Sequence, residues 1–382
     1  MLAHRLAGMT VSATWLDSGA RAYRELVVAG CPDAQQLVGL SACVTMFRCS
    51  QIFHLTGGRT AMKLRYVCSA VAALALLSAQ ASAQEQPLTT KCESAPLMAA
   101  FVTFGETGRM PPDLVKYLGD GPWHKIEPYK AFDNVYYVGI CWVSAWLITS
   151  PNGHVLIDTL YGPYTGQMLG NIRALGFDPR DIKLVVVTHG HFDHAGGIGQ
   201  LKSELAPGTR FAMTQEGWRE AAADSVSHPR FPWKMIEPDL VLTDGQTITG
   251  GDVAIQAFET PGHSMGTASF AFDARDGART YRAFTVGGLG LNRIRGPEQV
   301  EAFIASLKRI RTLTQEGARP VELHLTTHGF SNGLSEAKDL LKTRKPTDPH
   351  PLVDLAGFRK QLDDFQAGAE KRLVVERQKK AN

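Results

Sequence analysis

The segment that decides the fold is Leu184-Val-Val-Val-Thr-His-Gly-His-Phe-Asp-His-Ala-Gly-Gly197. It opens with an uninterrupted apolar run, which is typical of a buried β-strand. His189, His191, Asp193 and His194 follow that run directly. Imidazole and carboxylate groups are ligands for Zn²⁺, and packing alone gives no reason to crowd so many of them together. The segment therefore predicts a strand that ends in a metal site.

The spacing of these four side chains favours two metal ions over one. His189 and His191 leave the strand two residues apart, so both side chains can project to the same side. Asp193 and His194 lie in the turn that enters the next helix, and they can face an adjacent point. Four ligands this close in the chain do not easily surround one ion. We therefore expect two neighbouring zinc ions.

Further ligands are expected at the ends of two later strands. His263, in Thr260-Pro-Gly-His-Ser264, follows a strand pattern and a Pro-Gly pair. His328, in His324-Leu-Thr-Thr-His-Gly329, also follows a strand pattern. His324 competes with His328, but it lies within the apolar strand and we expect it to face the core. Three protein ligands for each zinc leave room for water, which is the arrangement of catalytic zinc sites.

An export signal is predicted at residues 62–83. Met62-Lys-Leu-Arg65 is a basic start, residues 66–79 are mostly apolar, and Ala81-Ser-Ala83 supplies small residues for cleavage. That layout is typical of a secretory signal peptide. Residues 1–61 have no place before such a signal, so we interpret them as an upstream extension that is not native, or else as an unstructured leader. We expect a periplasmic or secreted protein.

Composition limits the partners of the exported chain. The full chain has 382 residues, is 44% hydrophobic and carries a formal net charge of +3. The basic excess lies within residues 1–83, so residues 84–382 are close to neutral and give no reason to expect a nucleic-acid partner or, after signal cleavage, a membrane.

Cys92 and Cys141 are the two cysteines of residues 84–382. They could form a disulfide in an oxidising compartment, or Cys141 could be a buried free thiol.

Residues 84–382 are predicted to form one α/β domain. Residues 84–125 contain several chain-breaking residues, and we expect them to be irregular. Beyond them, two successive halves each mix strands and helices, which indicates one four-layer unit rather than two domains. Strands are predicted at 134–138, 142–149, 154–158, 184–187, 240–242, 253–259, 268–272, 281–286 and 321–325, and helices at 166–175, 195–205, 215–223, 298–310 and after Pro351.

The motif His189-x-His191-x-Asp193-His194, with His263 and His328 downstream, resembles that of the metallo-β-lactamase superfamily. The resemblance covers most of residues 130–370. It implies an αββα sandwich with a two-zinc cleft along one edge of the sheets.

The resemblance also assigns a role to each side chain. Asp158, in Val155-Leu-Ile-Asp-Thr159, matches the early aspartate of the family, and it would accept the N–H of a ligand histidine and so fix the tautomer of that ring. The first zinc would be bound by His189, His191 and His263, and the second by Asp193, His194 and His328.

Among the members of the family, the chain most resembles the subclass B3 metallo-β-lactamases. No cysteine follows Cys141, which excludes the subclasses with a cysteine ligand. The run Thr285-Val-Gly-Gly-Leu-Gly-Leu-Asn292 lacks the bridging aspartate of glyoxalase, lactonase and RNase-processing relatives. The predicted signal peptide and the run Asp244-Gly-Gln-Thr-Ile248 fit subclass B3. Many enzymes of that subclass place a serine near this stretch that anchors the substrate carboxylate, and Gly287-Gly288 offers none.

The function implied is that of an exported hydrolase of small molecules. A zinc-bound hydroxide would attack the β-lactam ring amide, and Asp193 would orient the water and relay its proton. The missing serine leaves open a lactone, thioester or ester as the substrate. A metal-binding module without activity fits less well, because the ligand set is complete. Phe231 and Trp233, in the Pro-rich segment 228–238, are expected either to line the substrate cleft or to pack in the core.

Overall fold

The computed structural model describes residues 4–6, 9–12, 27–28, 94–112, 114, 124–228, 231–317 and 319–381. The chain divides into two compact units, Met1–Gln86 and Pro87–Asn382. Three short strands of the first unit form an antiparallel sheet: β1 (His4–Leu6), β2 (Met9–Ser12) and β3 (Val27–Val28). The predicted signal peptide at 62–83 lies outside the described residues, and its assignment stays a prediction. Among the helices described, none is long and apolar enough to cross a membrane.

Two β-sheets form the centre of the second unit. The seven-stranded sheet has the order β10-β9-β8-β7-β6-β5-β4, antiparallel from β4 to β7 and parallel from β7 to β10. Its strands are β4 (Tyr129–Phe132), β5 (Val135–Tyr137), β6 (Trp146–Ile148), β7 (His154–Ile157), β8 (Ile182–Val186), β9 (Arg210–Thr214) and β10 (Leu240–Leu242).

The second sheet has five strands in sequential order. Neighbours are antiparallel from β11 to β14, and β15 pairs with β14 in parallel. Its strands are β11 (Thr247–Gly250), β12 (Val253–Glu259), β13 (Ala268–Asp276), β14 (Arg279–Thr285) and β15 (Leu323–His324).

Eight α-helices accompany the sheets in the described part of this unit, with short 3₁₀ turns at Pro179–Asp181 and Gly329–Ser331. The helices are α1 (Ser94–Thr107), α2 (Pro163–Ala174), α3 (Phe192–Ala195), α4 (Ile198–Glu204), α5 (Gln215–Ser227), α6 (Pro297–Leu313), α7 (Leu334–Leu341) and α8 (Leu355–Ala381).

Alternation of side chains along the strands produces three separate layers of core. On β8, Leu184 and Val186 pack between the two sheets, whereas Val185 on the opposite face packs with the helices that cover the seven-stranded sheet. On β14, Ala283 faces the space between the sheets, and Phe284 faces the cluster that includes α6 and α8. Three cores separate four layers, so the predicted αββα sandwich is confirmed.

The sequence analysis predicted that residues 84–125 would be irregular, but α1 occupies Ser94–Thr107. Leu97, Phe101 and Phe104 recur at helical spacing, and Leu97 and Phe104 are buried. The prediction was wrong because the breakers at 111–122 obscured this pattern.

The strand predicted over 142–149 is shorter in the structure. β6 begins only at Trp146, and residues 138–145 form a tight turn in which Ile140 N–H donates to the Val143 carbonyl at 2.9 Å. Trp142 therefore does not share a strand face with Trp146. Cys141 lies in the same turn and is disulfide-bonded, with its partner cysteine outside the described residues.

Candidate metal centre

The site forms where four strands end. Asp158 follows β7, His189 follows β8, His263 follows β12 and His328 follows β15. Since β7 and β8 are parallel neighbours, their carboxyl ends meet at one edge of the sheet. The short helix α3 begins immediately after His191 and carries Asp193 and His194.

Three histidines form the first cluster of ligand atoms. His189 Nε2 lies 3.0 Å from His191 Nδ1, and His263 Nε2 lies 3.1 Å from His189 Nε2 and 3.0 Å from His191 Nδ1. Tetrahedral ligands at the usual Zn–N distance are about 3.3 Å apart, so this triangle is close to the size that zinc requires. The predicted first set of ligands is therefore brought together.

A second cluster lies beside the first. His194 Nε2 is 3.3 Å from His328 Nε2 and 3.2 Å from Asp193 Oδ2, and His328 Nε2 is 3.9 Å from the same carboxylate oxygen. The predicted second set of ligands therefore also converges on one point. Two imidazoles and one carboxylate suit zinc, and three protein ligands leave a position open.

Asp158 orients one histidine of each cluster. Its Oδ2 accepts a hydrogen bond from His194 Nδ1 at 2.8 Å and another from Thr188 Oγ1 at 3.0 Å. Thr188 Oγ1 in turn accepts from His189 Nδ1 at 3.1 Å. Because each ring donates through Nδ1, its Nε2 lone pair remains available to a metal.

Backbone carbonyls orient two further ligand rings. His263 Nδ1 donates to the Gly290 carbonyl at 2.5 Å, and His328 Nδ1 donates to the Trp142 carbonyl at 2.7 Å. In both rings Nε2 is again left as the free acceptor. Hydrogen bonds of this kind accompany nearly all metal-binding histidines, so they are independent support for a metal centre.

The backbone at Asp158 is held in a conformation that L-residues rarely adopt. Asp158 has φ of 66° and Leu160 has φ of 55°. Such left-handed residues carry a conformational cost and persist where the surroundings fix them, often at functional sites. Thr188 N–H donates to Asp158 Oδ1 at 2.8 Å and so helps to fix this carboxylate.

Burial keeps most of the ligand rings neutral. It lowers the pKa of His263 to about 4 and that of His328 to about 3, and it lowers the pKa values of His189 and His191 well below the usual 6.5. Neutral imidazole is the form that binds metal.

The two carboxylates at the second cluster stabilise a positive charge there. Burial would lower the pKa of His194, but the carboxylates of Asp193 and Asp158 raise it to about 10. For the Asp193 carboxyl the two effects are opposite: burial alone would raise its pKa, but the positive charge of His194 outweighs burial and lowers that pKa. A cation bound between Asp193 and His194 would supply the charge that the proton supplies here.

His324 lies apart from both clusters. Its ring stacks on Phe358 with a centroid distance of 4.5 Å, and its Nδ1 lies 3.0 Å from Gln361 Oε1. Burial lowers its pKa to about 4. The structure thus groups His328, rather than His324, with Asp193 and His194.

A cavity of about 410 Å³ opens onto both clusters. His191 and His263 of the first cluster and Asp193 and His328 of the second line it. Phe231 and Trp233 are not among its lining residues; both pack instead against the core between the seven-stranded sheet and its helices. Six aromatic rings that the sequence analysis did not assign to the site line the cavity: Phe101, Trp142, Phe192, Phe303, Phe330 and Phe365.

Close packing explains the absence of an anchoring serine. A Cβ added at Gly288 would lie 2.4 Å from His263 Cβ, and one added at Gly287 would lie 1.8 Å from the Ala268 carbonyl oxygen. No side chain fits at either position without displacing the backbone or the ligand His263. A positive group that lines the cavity nearby is Arg293, which forms an ion pair with Asp224 at 2.8 Å.

Sequence comparison relates the chain to one superfamily. Residues 138–316 match the family model described as metallo-beta-lactamase superfamily. A hydroxyacylglutathione hydrolase of Bradyrhizobium sp. (strain ORS 278) is 29% identical over 223 residues, which are 56% of this chain and 78% of that protein.

Solved structures of metallo-β-lactamases share the fold. BJP-1, a subclass B3 enzyme of Bradyrhizobium japonicum, is 24% identical with a TM-score of 0.59 over 66% of this chain and 96% of its own. A metallo-β-lactamase of Cronobacter sakazakii with a HARLDQ motif is 29% identical with a TM-score of 0.56, over 67% of this chain and 97% of its own.

Proposed function

We propose, on the premise that residues 138–316 are a metallo-β-lactamase superfamily domain, that this protein is an exported zinc-dependent hydrolase that opens the β-lactam ring. The observation that supports this proposal most is the pair of three-ligand clusters opening onto one cavity. Structural zinc sites are closed by four protein ligands, whereas catalytic sites keep a position open to the substrate.

Different residues of the chain would have different roles in hydrolysis. When bound, zinc would supply a Lewis acid that polarises a carbonyl and lowers the pKa of a bound water molecule to about 7. Asp193 lines the cavity, and its lowered pKa keeps it a carboxylate, which can accept a hydrogen bond from a water molecule and hold it beside the substrate. Asp158, Thr188 and the Gly290 and Trp142 carbonyls hold the ligand rings in place during the reaction.

A β-lactam fits the charge of the cavity. Penicillins, cephalosporins and carbapenems carry a carboxylate beside the ring amide, and a positive group near the metals would stabilise that charge. Arg293 lines the cavity and its side chain is about half exposed, at 47%. It therefore offers to the substrate the anchor that no residue at 287 or 288 can supply.

Replacing Arg293 by glutamine should raise KM for carboxylate-bearing β-lactams by about tenfold or more, with a smaller change in kcat. A hydrogen bond to a charged group contributes about 1.5–3 kcal/mol, and this one would be made equally with substrate and transition state. Steady-state kinetics with a cephalosporin and its methyl ester, which lacks the carboxylate charge, measure the effect. An equal loss with the ester would show that Arg293 acts through the fold instead.

Export is the second part of the proposal. The basic start, apolar run and small residues at 62–83 support cleavage after Ala83, with translation starting at Met62. The exported protein should begin at Gln84, and sequencing its N-terminus measures this. A mature chain that retains any residue before Met62 would contradict the proposal.

A related hydrolase reaction is the second candidate. The similarity to a hydroxyacylglutathione hydrolase and the missing serine favour a lactone, thioester or other ester as an alternative substrate. Purified, zinc-loaded protein should be assayed against a penicillin, a cephalosporin, a carbapenem, a lactone and a thioester. The proposal expects all three β-lactams to be cleaved, since the ring amide is common to them. Cleavage of the lactone or thioester alone would replace the proposal by this alternative.

A further inference from the structure

The cavity at the metal centre extends well beyond the ligand atoms. One of its walls comes from α1, with Met98, Phe101 and Val102, and another comes from the middle of α8, with Phe365 and Ala369. A β-lactam ring system that reaches the metals occupies only one end of such a space. The remainder must hold another part of the substrate or stay filled with water.

The lining of that remainder is mostly apolar. Leu291, Phe303 and Phe330 are at least 95% buried and belong to the cores beneath the cavity. Phe101 of α1 stacks on Phe330 with a centroid distance of 4.6 Å, and its ring lies 6.2 Å from that of His328. The apolar surface therefore begins directly beside a metal ligand and continues away from it.

Charged groups line the cavity where it meets solvent. Lys360 and Asp364 pair at 2.6 Å, and both side chains are largely exposed. A site with an apolar interior and a few polar groups at its ends is typical of pockets for small organic ligands.

Polar contacts between α8 and the lining residues Gly105, Glu106 and Leu291 hold the two helices together. Lys371 Nζ pairs with Glu106 at 2.8 Å, and Arg372 Nη1 donates to the Gly105 carbonyl at 2.9 Å and the Leu291 carbonyl at 3.1 Å. Arg372 is itself buried and paired with Glu376. These contacts tie both helices and the loop at Leu291 together, so the space between the helices is part of the fold.

Two lining glycines leave this space open. A Cβ added at Gly105 of α1 would meet only Leu291 N at 4.0 Å, and one added at Gly368 of α8 would meet only Glu106 Cγ at 4.0 Å. Neither glycine has a positive φ, so neither is required by the backbone. A larger residue at either position would project into unfilled volume.

We infer that the substrate carries an apolar chain, which lies in the cavity between α1 and α8 while the scissile carbonyl lies at the metal centre. The inference rests on the proposed function for the bond that is cleaved. It adds the class of substituent, which is an apolar acyl or alkyl group and not the polar or charged group that a hydrophilic cleft would select.

Binding of a chain that cannot be cleaved tests the inference without turnover. Saturation-transfer NMR with butanamide, hexanamide and octanamide should show affinity for the zinc-loaded full chain rising by about fourfold for each added methylene, as expected for transfer of each CH₂ from water to an apolar site. Gly105→Leu and Gly368→Leu should each weaken octanamide binding at least about tenfold. Gly170→Leu is the matched control, since Gly170 lies on α2 with open space around it and does not line the cavity.

Kinetics on substrates that differ only in chain length complete the test. For penicillins with N-acyl chains from acetyl to octanoyl, kcat/KM should rise with length in the wild-type protein and in Gly170→Leu. Gly105→Leu should lose this gain with length, while its zinc content and circular dichroism spectrum match those of Gly170→Leu and so show that the variant folds.

The outcomes separate this inference from the proposed function. Cleavage of every penicillin at one rate, with no amide binding, overturns the inference and leaves the function. Chain-dependent amide binding without cleavage of any β-lactam supports the inference and overturns the function. Octanamide binding that is unchanged in both Gly105→Leu and Gly368→Leu would place the chain elsewhere and contradict the inference.

Discussion

Replacing His328 by alanine is expected to remove about one of the two zinc ions and to lower the hydrolysis rate at least about a hundredfold. Among the residues that the structure describes, His328 Nε2 is one of three ligand atoms in the second cluster, 3.3 Å from His194 Nε2. Sites with three protein ligands tolerate the loss of one poorly, since binding requires all donors to converge. Zinc content measured by atomic emission after dialysis, together with steady-state rates, checks both parts.

His324 provides the matched control for this variant. It is also a buried histidine, only four residues away, but its ring contacts Phe358 and Gln361 instead of the clusters. His324→Ala should keep the full zinc content, even if it lowers the stability of the fold. Loss of zinc in His324→Ala with retention in His328→Ala would overturn the assignment of the second cluster.

Replacing Asp158 by asparagine is expected to weaken zinc binding by about ten- to a hundredfold, the range seen when the partner of a ligand histidine is removed. The carboxylate accepts from His194 Nδ1 and Thr188 Oγ1 on Oδ2 and from Thr188 N–H on Oδ1. An amide has only one acceptor oxygen, so its NH₂ group must face at least one of these donors. Because Thr188 also accepts from His189, both clusters should be affected.

Competitive zinc titration against a chelator measures this loss. Asparagine tolerates the left-handed backbone at position 158, so the change tests the carboxylate rather than the chain conformation. Asp276→Asn is a suitable control, since Asp276 pairs with Arg344 and contacts no ligand of either cluster. Equal zinc affinity in Asp158→Asn and the wild-type protein would show that the orientation of the rings does not depend on this carboxylate.

The candidate ligands could be identified from sequence, and the structure brings them together, because their signal is local. Residues 184–197 contain both the buried strand and four ligand side chains, and β8 (Ile182–Val186) lies where the apolar run predicted it. His263 and His328 follow strands, and strand ends are where loops can present side chains to one point. His328 was chosen over His324 because of their positions relative to the predicted strand. In the structure His324 is the last residue of β15, and His328 lies beyond its end.

The walls of the cavity could not be predicted in the same way. They are formed by residues separated by as much as 271 positions, from Met98 to Ala369, and no local pattern indicates that these segments meet. Phe231 and Trp233 had suitable chemistry, but their segment packs on the core beside Tyr161 and Phe192. Each helix of the walls had a local signal, since the helix after Pro351 was predicted and α1 shows the spacing of Leu97, Phe101 and Phe104, but neither signal places the two helices together.

Two short strands, β9 and β11, escaped prediction because neither shows the alternation of apolar and polar residues that indicates a half-buried strand. Four of the five residues of β9 are buried, so both faces of the strand are apolar and no period of two appears. β11 has the opposite difficulty, since only Gly250 of its four residues is buried. Each is a strand because a neighbouring strand pairs with it, which is information that the segment alone does not contain.

The rate of cephalosporin hydrolysis during a zinc titration tests the central claim most directly. Chelator-treated protein should be inactive towards a chromogenic cephalosporin, and the rate should rise with added zinc until about two ions are bound per chain. Compounds that trap a serine nucleophile should leave that rate unchanged. A protein that binds two zinc ions, ignores penicillin, cephalosporin and carbapenem, and yet cleaves a lactone or thioester would contradict the account.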